Sequence, residues 1–407
     1  MRILFVHQNF PGQYRHLVKA MAAQPENEVA ALTMSEPPAM DGVRIVRHGG
    51  EAVLQPSPPY LSRFDLQIRR GQSAAAAANG LKQAGFMPDL ICAHPGWGEA
   101  LFLKDVFPSA RLICYQEFYY QREGSDVNFD PEFPTVAEED FQYLRIRNSN
   151  ALLSLAAADW SVSPTDWQKS QFPDAYQSRI SIIHEGIDTD KLRPDPAAWV
   201  MLNALGRKLT AQDEVITFVS RNLEPYRGFH IFMRTLPELL RRRPNAIVVI
   251  VGGDDVSYGH RLPQGQRYRD RYLKEVGLEL DEERVRFVGR VPYEVYINLM
   301  QISSAHVYLT YPFVLSWSML EAMSMGAALV ASATQPVQEV IRDRVNGLLV
   351  DFFSPQQIVE ALCEILDDPE RMAVMRKNAR DTIIKKFDLK TVCLPKQIAL
   401  LHAVAGN

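Results

Sequence analysis

Short, mainly apolar runs bounded by turn signals recur along the whole chain, with helical patterns between them. Continuous rather than alternating hydrophobicity marks strands covered on both faces, and strands separated by helices pair in parallel. The first half offers Ile3–His7, Val29–Leu32, Asp89–Ala93, Arg111–Tyr115 and Trp160–Ser163. The second offers Ile180–Ile183, Val215–Ser220, Ala246–Gly252, Val285–Val288, His306–Thr310 and Ala328–Ser332. Helical patterns fall at Tyr14–Gln24, Gln72–Gly85, Arg234–Arg243 and around Glu321–Met325. The expected class is α/β, with two doubly wound, Rossmann-like domains at 1–170 and 171–387. The stretch 165–200, which carries Pro173, Pro194 and Pro196, is the expected linker.

At 407 residues the chain is too long for one core. Its net charge of −4 and 23% charged residues give no basic footprint for nucleic acid. Cys92, Cys114, Cys363 and Cys393 have neither disulfide-framework nor metal-ligand spacing, which suits buried thiols in a reducing compartment. The opening Met1–His7 is too short for a signal peptide and reads as a strand. No run approaches the roughly 18 apolar residues of a membrane span. The expectation is a cytoplasmic protein without an integral membrane segment, peripheral contact with the inner membrane face being left open. Residues 49–63 and 121–138 resist the alternating pattern and read as long binding or lid loops.

In doubly wound sheets ligands lie beyond the carboxyl ends of the strands, and there the chemistry-bearing residues collect. Arg221 ends one strand, and Arg227 follows a turn just before a helix beginning near Gly228. Two permanent cations at a helix N-terminus suit a diphosphate, although ion pairing with Glu224 explains them too. Glu321 is placed to accept the hydroxyls of a ribose, but Ser318-x-x-Glu321 also spells a capping box, the stronger reading on spacing alone. His94 follows the strand Asp89–Ala93, and Gly12 lies between the first strand and its helix. Gly252-Gly253-Asp254-Asp255 fits close ligand approach and a plain turn equally. No GxGxxG, GxxxxGK[ST], HExxH or GxSxG stands at a usable place, which argues against dehydrogenases, P-loop ATPases, zinc proteases and α/β-hydrolases.

Taken together, these segments resemble family 4 of the nucleotide-sugar glycosyltransferases, which have the GT-B fold. The resemblance runs through Arg2–Gly12, Ile182–Asp188, the block 215–352 and the ending Phe387-Asp388. It implies two domains facing across a cleft, the last helix (about 388–407) returning to the first. Arg221 and Arg227-Gly228 match the phosphate motif, with Arg in place of the family's Lys. Phe287–Val291 matches the loop whose backbone reads the nucleobase, which brings in Arg290 and Val291. Glu321 matches the second Glu of E-x7-E, at the ribose. Thr334–Glu339 and Asn346–Val350 match the C-terminal signature. His94 matches the donor-sugar histidine, and Gly12 the loop that approaches the donor.

Three departures stand out. Phe313 replaces the first Glu of E-x7-E, which leaves the backbone amides of Val314, Leu315 and Ser316 as the candidate sugar contacts. Glu185 replaces the Asn before Gly186. The tyrosine-rich Glu117-Phe118-Tyr119-Tyr120 is similar to a subgroup of the family, so the departures read as a subgroup trait.

The resemblance implies a retaining, metal-independent hexosyltransferase, with His94, Arg221 and Arg227 as catalytic residues. No cofactor is expected. The co-substrate is a nucleoside diphosphate sugar in UDP or GDP form. The acceptor is a glycan, a lipid-linked sugar or a small molecule in polysaccharide or glycoconjugate synthesis. Tyr119 and Tyr120 are candidate acceptor-side stacking residues, with core packing as an equal alternative. A nucleotide-sugar epimerase on the same fold, and a binding or scaffold subunit without catalysis, stand as alternatives, the second because of Phe313.

Overall fold

The computed structural model describes residues 1–49, 59–135, 137–202, 206–277, 281 and 283–406. They form two compact units, Met1–Gly186 with Leu389–Asn407, and Ile187–Asp388.

The first unit holds seven strands: β1 (Arg2–Val6), β2 (Glu28–Thr33), β3 (Val43–Arg47), β4 (Leu90–Ala93), β5 (Arg111–Tyr115), β6 (Trp160–Ser163) and β7 (Ile180–Ile182). All pair in parallel in the order β3-β2-β1-β4-β5-β6-β7. The order reverses between β1 and β4, which opens a crevice at their carboxyl ends. β1 and β4 are buried along most of their length, as their unbroken hydrophobicity requires. The alanine-rich segment lies inside the helix Pro59–Gln83, where Ala74 and Ala78 are fully buried. Of the expected loop 49–63, residues 50–58 lie outside the described residues and 59–63 begin this helix.

The strand at 180 corrects the expected boundary. Its register with β6 (Ser161↔Ile180 to Ser163↔Ile182) makes it the edge of the first sheet, so the first unit runs to Gly186 rather than 170. The final helix Leu394–Ala405 lays Leu394, Ile398 and Leu401 against the core of β1, β2 and β4. Gly186 adopts φ +96°, and a side chain there would strike Leu389 Cα at 2.8 Å.

The second unit has an antiparallel pair, β8 (Trp199–Leu202) and β9 (Arg207–Thr210), outside its main sheet. The sheet contains β10 (Val215–Asn222), β11 (Ile247–Gly253), β12 (Val285–Gly289), β13 (Ala305–Tyr308), β14 (Ala328–Ser332) and β15 (Leu348–Val350). It is parallel throughout, in the order β12-β11-β10-β13-β14-β15, with its own reversal between β10 and β13. The helix Phe229–Arg242 covers it with Phe229, Phe232, Leu236 and Leu239 at helical spacing. Among the described residues no helix is long and apolar enough to cross a membrane, and all four cysteines are buried.

Candidate active site

In the second unit the switch point between β10 and β13 gathers the arginine motif. Arg221 projects exposed from the end of β10. The chain then tightens through Pro225–Arg227 and enters the helix Phe229–Arg242 at Gly228. Gly228 has φ +67°, and a Cβ there would sit 2.3 Å from Leu309 Cβ. Only glycine permits this close turn, so it fixes where Arg227 points.

Arg227 is buried, yet its Nη1 bonds neutral hydroxyls: it donates to Tyr308 Oη at 3.2 Å and to Thr310 Oγ1 at 2.7 Å. Burial opposes its charge, but Tyr308, Tyr258 and the nearby Glu224 carboxylate hold its pKa above the ordinary arginine value. Tyr258 and Phe313 lie beside the guanidinium, with ring centroids 5.5 and 5.8 Å from its carbon. The ion-pair explanation with Glu224 does not describe this site. The buried Glu224 carboxylate instead accepts the backbone N–H groups of Ser257 (2.9 Å), Tyr258 (3.1 Å) and Gly259 (2.8 Å), pinning the loop after β11. Asp254 of that loop pairs with Arg267 and Arg269.

The paired glycines at the end of β11 have a steric reason. A Cβ on Gly253 would strike Asn222 Oδ1 at 2.6 Å and Arg290 Nε at 2.8 Å. Without it, Arg290 lies across the strand end and donates through Nη2 to Asn222 Oδ1 at 3.0 Å. Val291 packs its side chain into the core, as does the buried Leu315. Val314 is half-buried. Of the three amides expected to meet the sugar, that of Ser316 is already engaged, donating to Tyr308 Oη at 2.8 Å.

The capping-box reading of Glu321 is overturned. The N-cap is Ser316, extended at φ −79°, ψ 141°, whose Oγ accepts the Ser318 N–H. Glu321 lies past that turn, and its Oε1 accepts a hydrogen bond from Tyr293 Oη at 2.8 Å. In the matched signature, Asn346 is structural: it bonds Val340 O, Thr382 Oγ1 and the Arg342 N–H.

In the first unit the carboxyl ends of β1, β4 and β5 bring His7, His94 and Glu117 together. His7 Nδ1 accepts the Asn9 N–H (3.0 Å), and its Nε2 meets Gln13 Oε1 at 2.7 Å. Gln13 Nε2 then donates to Glu117 Oε1 at 3.0 Å. Burial, with His94 beside it, lowers the His7 pKa to about 3. Glu117 titrates below the usual carboxylate range: burial opposes its charge, but His94, His7 and Gln13 outweigh it. Gly12 (φ +47°) lies so close to the His7 ring that a Cβ would come within 2.3 Å of it. His94 caps the turn Pro95–Trp97, its Nδ1 accepting the Gly96 N–H at 3.2 Å.

Tyr119 packs against the cluster of Leu155, Phe172 and Ile180, and the Arg147 guanidinium covers a face of Tyr120 at 3.6 Å. Arg147 also donates to Tyr120 Oη at 2.6 Å. Both residues remain half-buried. Sequence reasoning did not single out His7, Gln13 or Glu117, and the available signal was position alone: His7 and Glu117 follow strand ends.

Comparison with known proteins agrees with this architecture. Residues 25–192 match the family described as glycosyl transferase family 4 group, and residues 205–382 match glycosyl transferases group 1. The D-inositol 3-phosphate glycosyltransferase of Corynebacterium urealyticum is 29% identical over 353 residues, covering 83% of this chain and 76% of that protein. The Nocardioides protein of the same name is 26% identical over 219 residues, 52% of this chain and 47% of its own length. The chain thus spans only about half the length of several curated relatives. Among solved structures, sucrose-phosphate synthase from Thermosynechococcus elongatus superposes with a TM-score of 0.73 at 19% identity, covering 100% of both chains. HepE from Anabaena, in complex with UDP-glucose, gives 0.69 at 17% identity, covering 99% of both. The order of strands, the arginine turn before the second-unit helix and these matches lead to one assignment: the chain is a glycosyltransferase of GT-B fold and belongs to family 4.

Proposed function

We propose that the enzyme moves a sugar from a nucleoside diphosphate to an acceptor hydroxyl, with retention at the anomeric carbon and without a metal ion. The observation that carries this reading is Arg227, a buried, permanently charged guanidinium bonded to two hydroxyls at the start of a helix. When the bond from the sugar to the diphosphate breaks, charge collects on the leaving phosphate. Preorganised cations there stabilise the transition state without reorganisation. Arg227, the exposed Arg221 and the N-terminus of Phe229–Arg242 supply that charge from the protein itself. Glu224 and Asp254, the acidic residues nearest the motif, are spent on backbone amides and arginines.

Glu321 is the proposed ribose holder, taking a ribose hydroxyl as it now takes that of Tyr293. The backbone at Arg290 and Val291 is the proposed base reader, which fits a UDP or GDP donor. HepE, of the same fold, was solved with UDP-glucose. His94 and the Gly12 loop are further proposed sugar contacts, and the acceptor is a glycan, lipid-linked sugar or small hydroxylated molecule.

The reading is tested by incubating the full chain with UDP- and GDP-sugars and a panel of methyl pyranosides, in EDTA, and analysing products by NMR. Transfer with retained anomeric configuration is expected. Inverted product, or activity that returns only with added divalent metal, contradicts it. Nucleotide binding without any turnover favours the scaffold reading.

A further inference from the structure

The second unit contains a groove that the transferase reading leaves unused. Its volume is about 640 Å³, within the range of roughly 300–1,000 Å³ typical of small-molecule sites. It is formed by β12, the edge strand of the sheet, together with β8 and the helices Tyr268–Val276 and Tyr293–Gln301. Arg221, Arg227, Arg290 and Glu321 do not line it.

The lining is mainly apolar, with Val200, Leu202, Leu273, Val295 and Leu299 among its side chains. The outward face of β8 is apolar as well. Exposed and buried positions alternate along this strand, and both exposed ones, Trp199 and Met201, are large and apolar. The solvent face of a half-covered strand is ordinarily polar. Met201 lines the groove, and so does Val295, which is exposed on its helix.

One charge in the groove has no counter-ion. Among the described residues the side chain of Arg286, on β12, has no ion pair, and its Nε is buried without a hydrogen-bond partner. A buried donor left unpaired is unfavourable, so Arg286 calls for an acceptor. Arg269, the other arginine of the lining, is spent on Asp254 at 3.2 Å and Asp270 at 3.7 Å.

These features select an occupant. Apolar walls take up hydrocarbon. A guanidinium fork matches a carboxylate through two parallel hydrogen bonds. Arg286 brings one positive charge, which a monoanion neutralises. A dianionic phosphate would bring a second negative charge into a groove that Asp270 also lines. A cationic head group is repelled by Arg286, and an alcohol leaves its charge unpaired.

We propose that the groove beside β12 binds an aliphatic chain ending in a carboxylate, with Arg286 holding the head group and Val200, Leu202, Val295 and Leu299 lining the path of the chain. This goes beyond the transferase reading and does not depend on it.

The test titrates the full chain, by calorimetry, with octanoate, decanoate and laurate. Dodecanol, dodecyl phosphate and dodecyltrimethylammonium are titrated in parallel, all below their micelle concentrations. Wild type is compared with Arg286→Gln and Val295→Asp, whose melting temperatures are checked to be unchanged. Val295 stands in the first turn of its helix, where a carboxylate is compatible with the helix end. Laurate should bind the wild type more tightly than the other three head groups. Each CH₂ removed from the chain should weaken binding by about fourfold. Arg286→Gln should bind laurate at least tenfold more weakly and dodecanol within twofold of wild type, whereas Val295→Asp should weaken both. The proposal is overturned if laurate does not bind, if chain length has no effect, if another head group binds as tightly, or if Arg286→Gln binds laurate as wild type does. A dimer in solution that Val295→Asp dissociates would assign the groove to a second copy of the chain and overturn it too.

Discussion

Phe313 lies beside Arg227, its ring centroid 5.8 Å from the guanidinium carbon, at the position where the family pattern has a carboxylate. The ring also packs on Tyr226 at 5.4 Å and Tyr258 at 5.0 Å. An aromatic face thus borders the cation where a Glu would pair with it. Phe313→Ala should destabilise the protein by about 3 kcal/mol, the lower end for a buried Phe. Phe313→Glu should also weaken nucleoside diphosphate binding, because the new carboxylate competes for Arg227. Denaturant titration and calorimetry of the two variants measure these effects.

The Glu224 carboxylate organises the loop that carries Tyr258. Glu224→Gln keeps the shape but turns one acceptor oxygen into a donor facing backbone N–H groups. It should cost about 2 kcal/mol and speed hydrogen exchange at Ser257, Tyr258 and Gly259 above that of neighbouring amides. Unchanged exchange there would show that the loop is held by other contacts.

Gly12→Ala places a methyl group 2.3 Å from the His7 ring at a backbone conformation of φ +47°. The expected cost is about 1–3 kcal/mol, together with loss of the bond from His7 to Gln13. A lowered melting temperature and a shifted His7 resonance in nitrogen-15 NMR check it.

Four buried histidines make stability depend on pH. Burial, the leading cause in each case, lowers His7 and His306 to about 3 and His48 and His184 to about 4. The unfolded chain binds protons at these rings below about pH 6.5, whereas the folded chain does not. Folding stability is therefore complete above about pH 6.5 and falls as the pH drops toward 4, by up to about 1.4 kcal/mol per pH unit for each histidine. Three of the four lie in the first unit. Denaturant unfolding at pH 7 and pH 5 should show the larger loss in that unit.

The parts legible in the sequence were those set by local pattern. Strands buried on both faces declared themselves by unbroken apolar runs, and the arginine turn by its place between strand and helix. Less visible were β3, whose Val-Arg-Ile-Val-Arg is interrupted by two arginines on a sheet edge, and the antiparallel pair β8 and β9. The capping of the helix at 317 was misread because two serines compete and backbone angles choose Ser316. His7 and Glu117 are 110 positions apart in number and gain meaning only when β1, β4 and β5 lie side by side. No local pattern carries that adjacency.

The central claim is that Arg227 and Arg221 receive a nucleoside diphosphate. The most direct measurement is thermal stabilisation of the wild type, Arg227→Ala and the exposed-site variant Arg221→Ala by UDP, GDP, ADP and their sugars. At 100 times its dissociation constant a ligand stabilises by about 2.7 kcal/mol. The account predicts that one diphosphate stabilises the wild type and that each variant binds it at least tenfold more weakly. Equal stabilisation of wild type and both variants would contradict it.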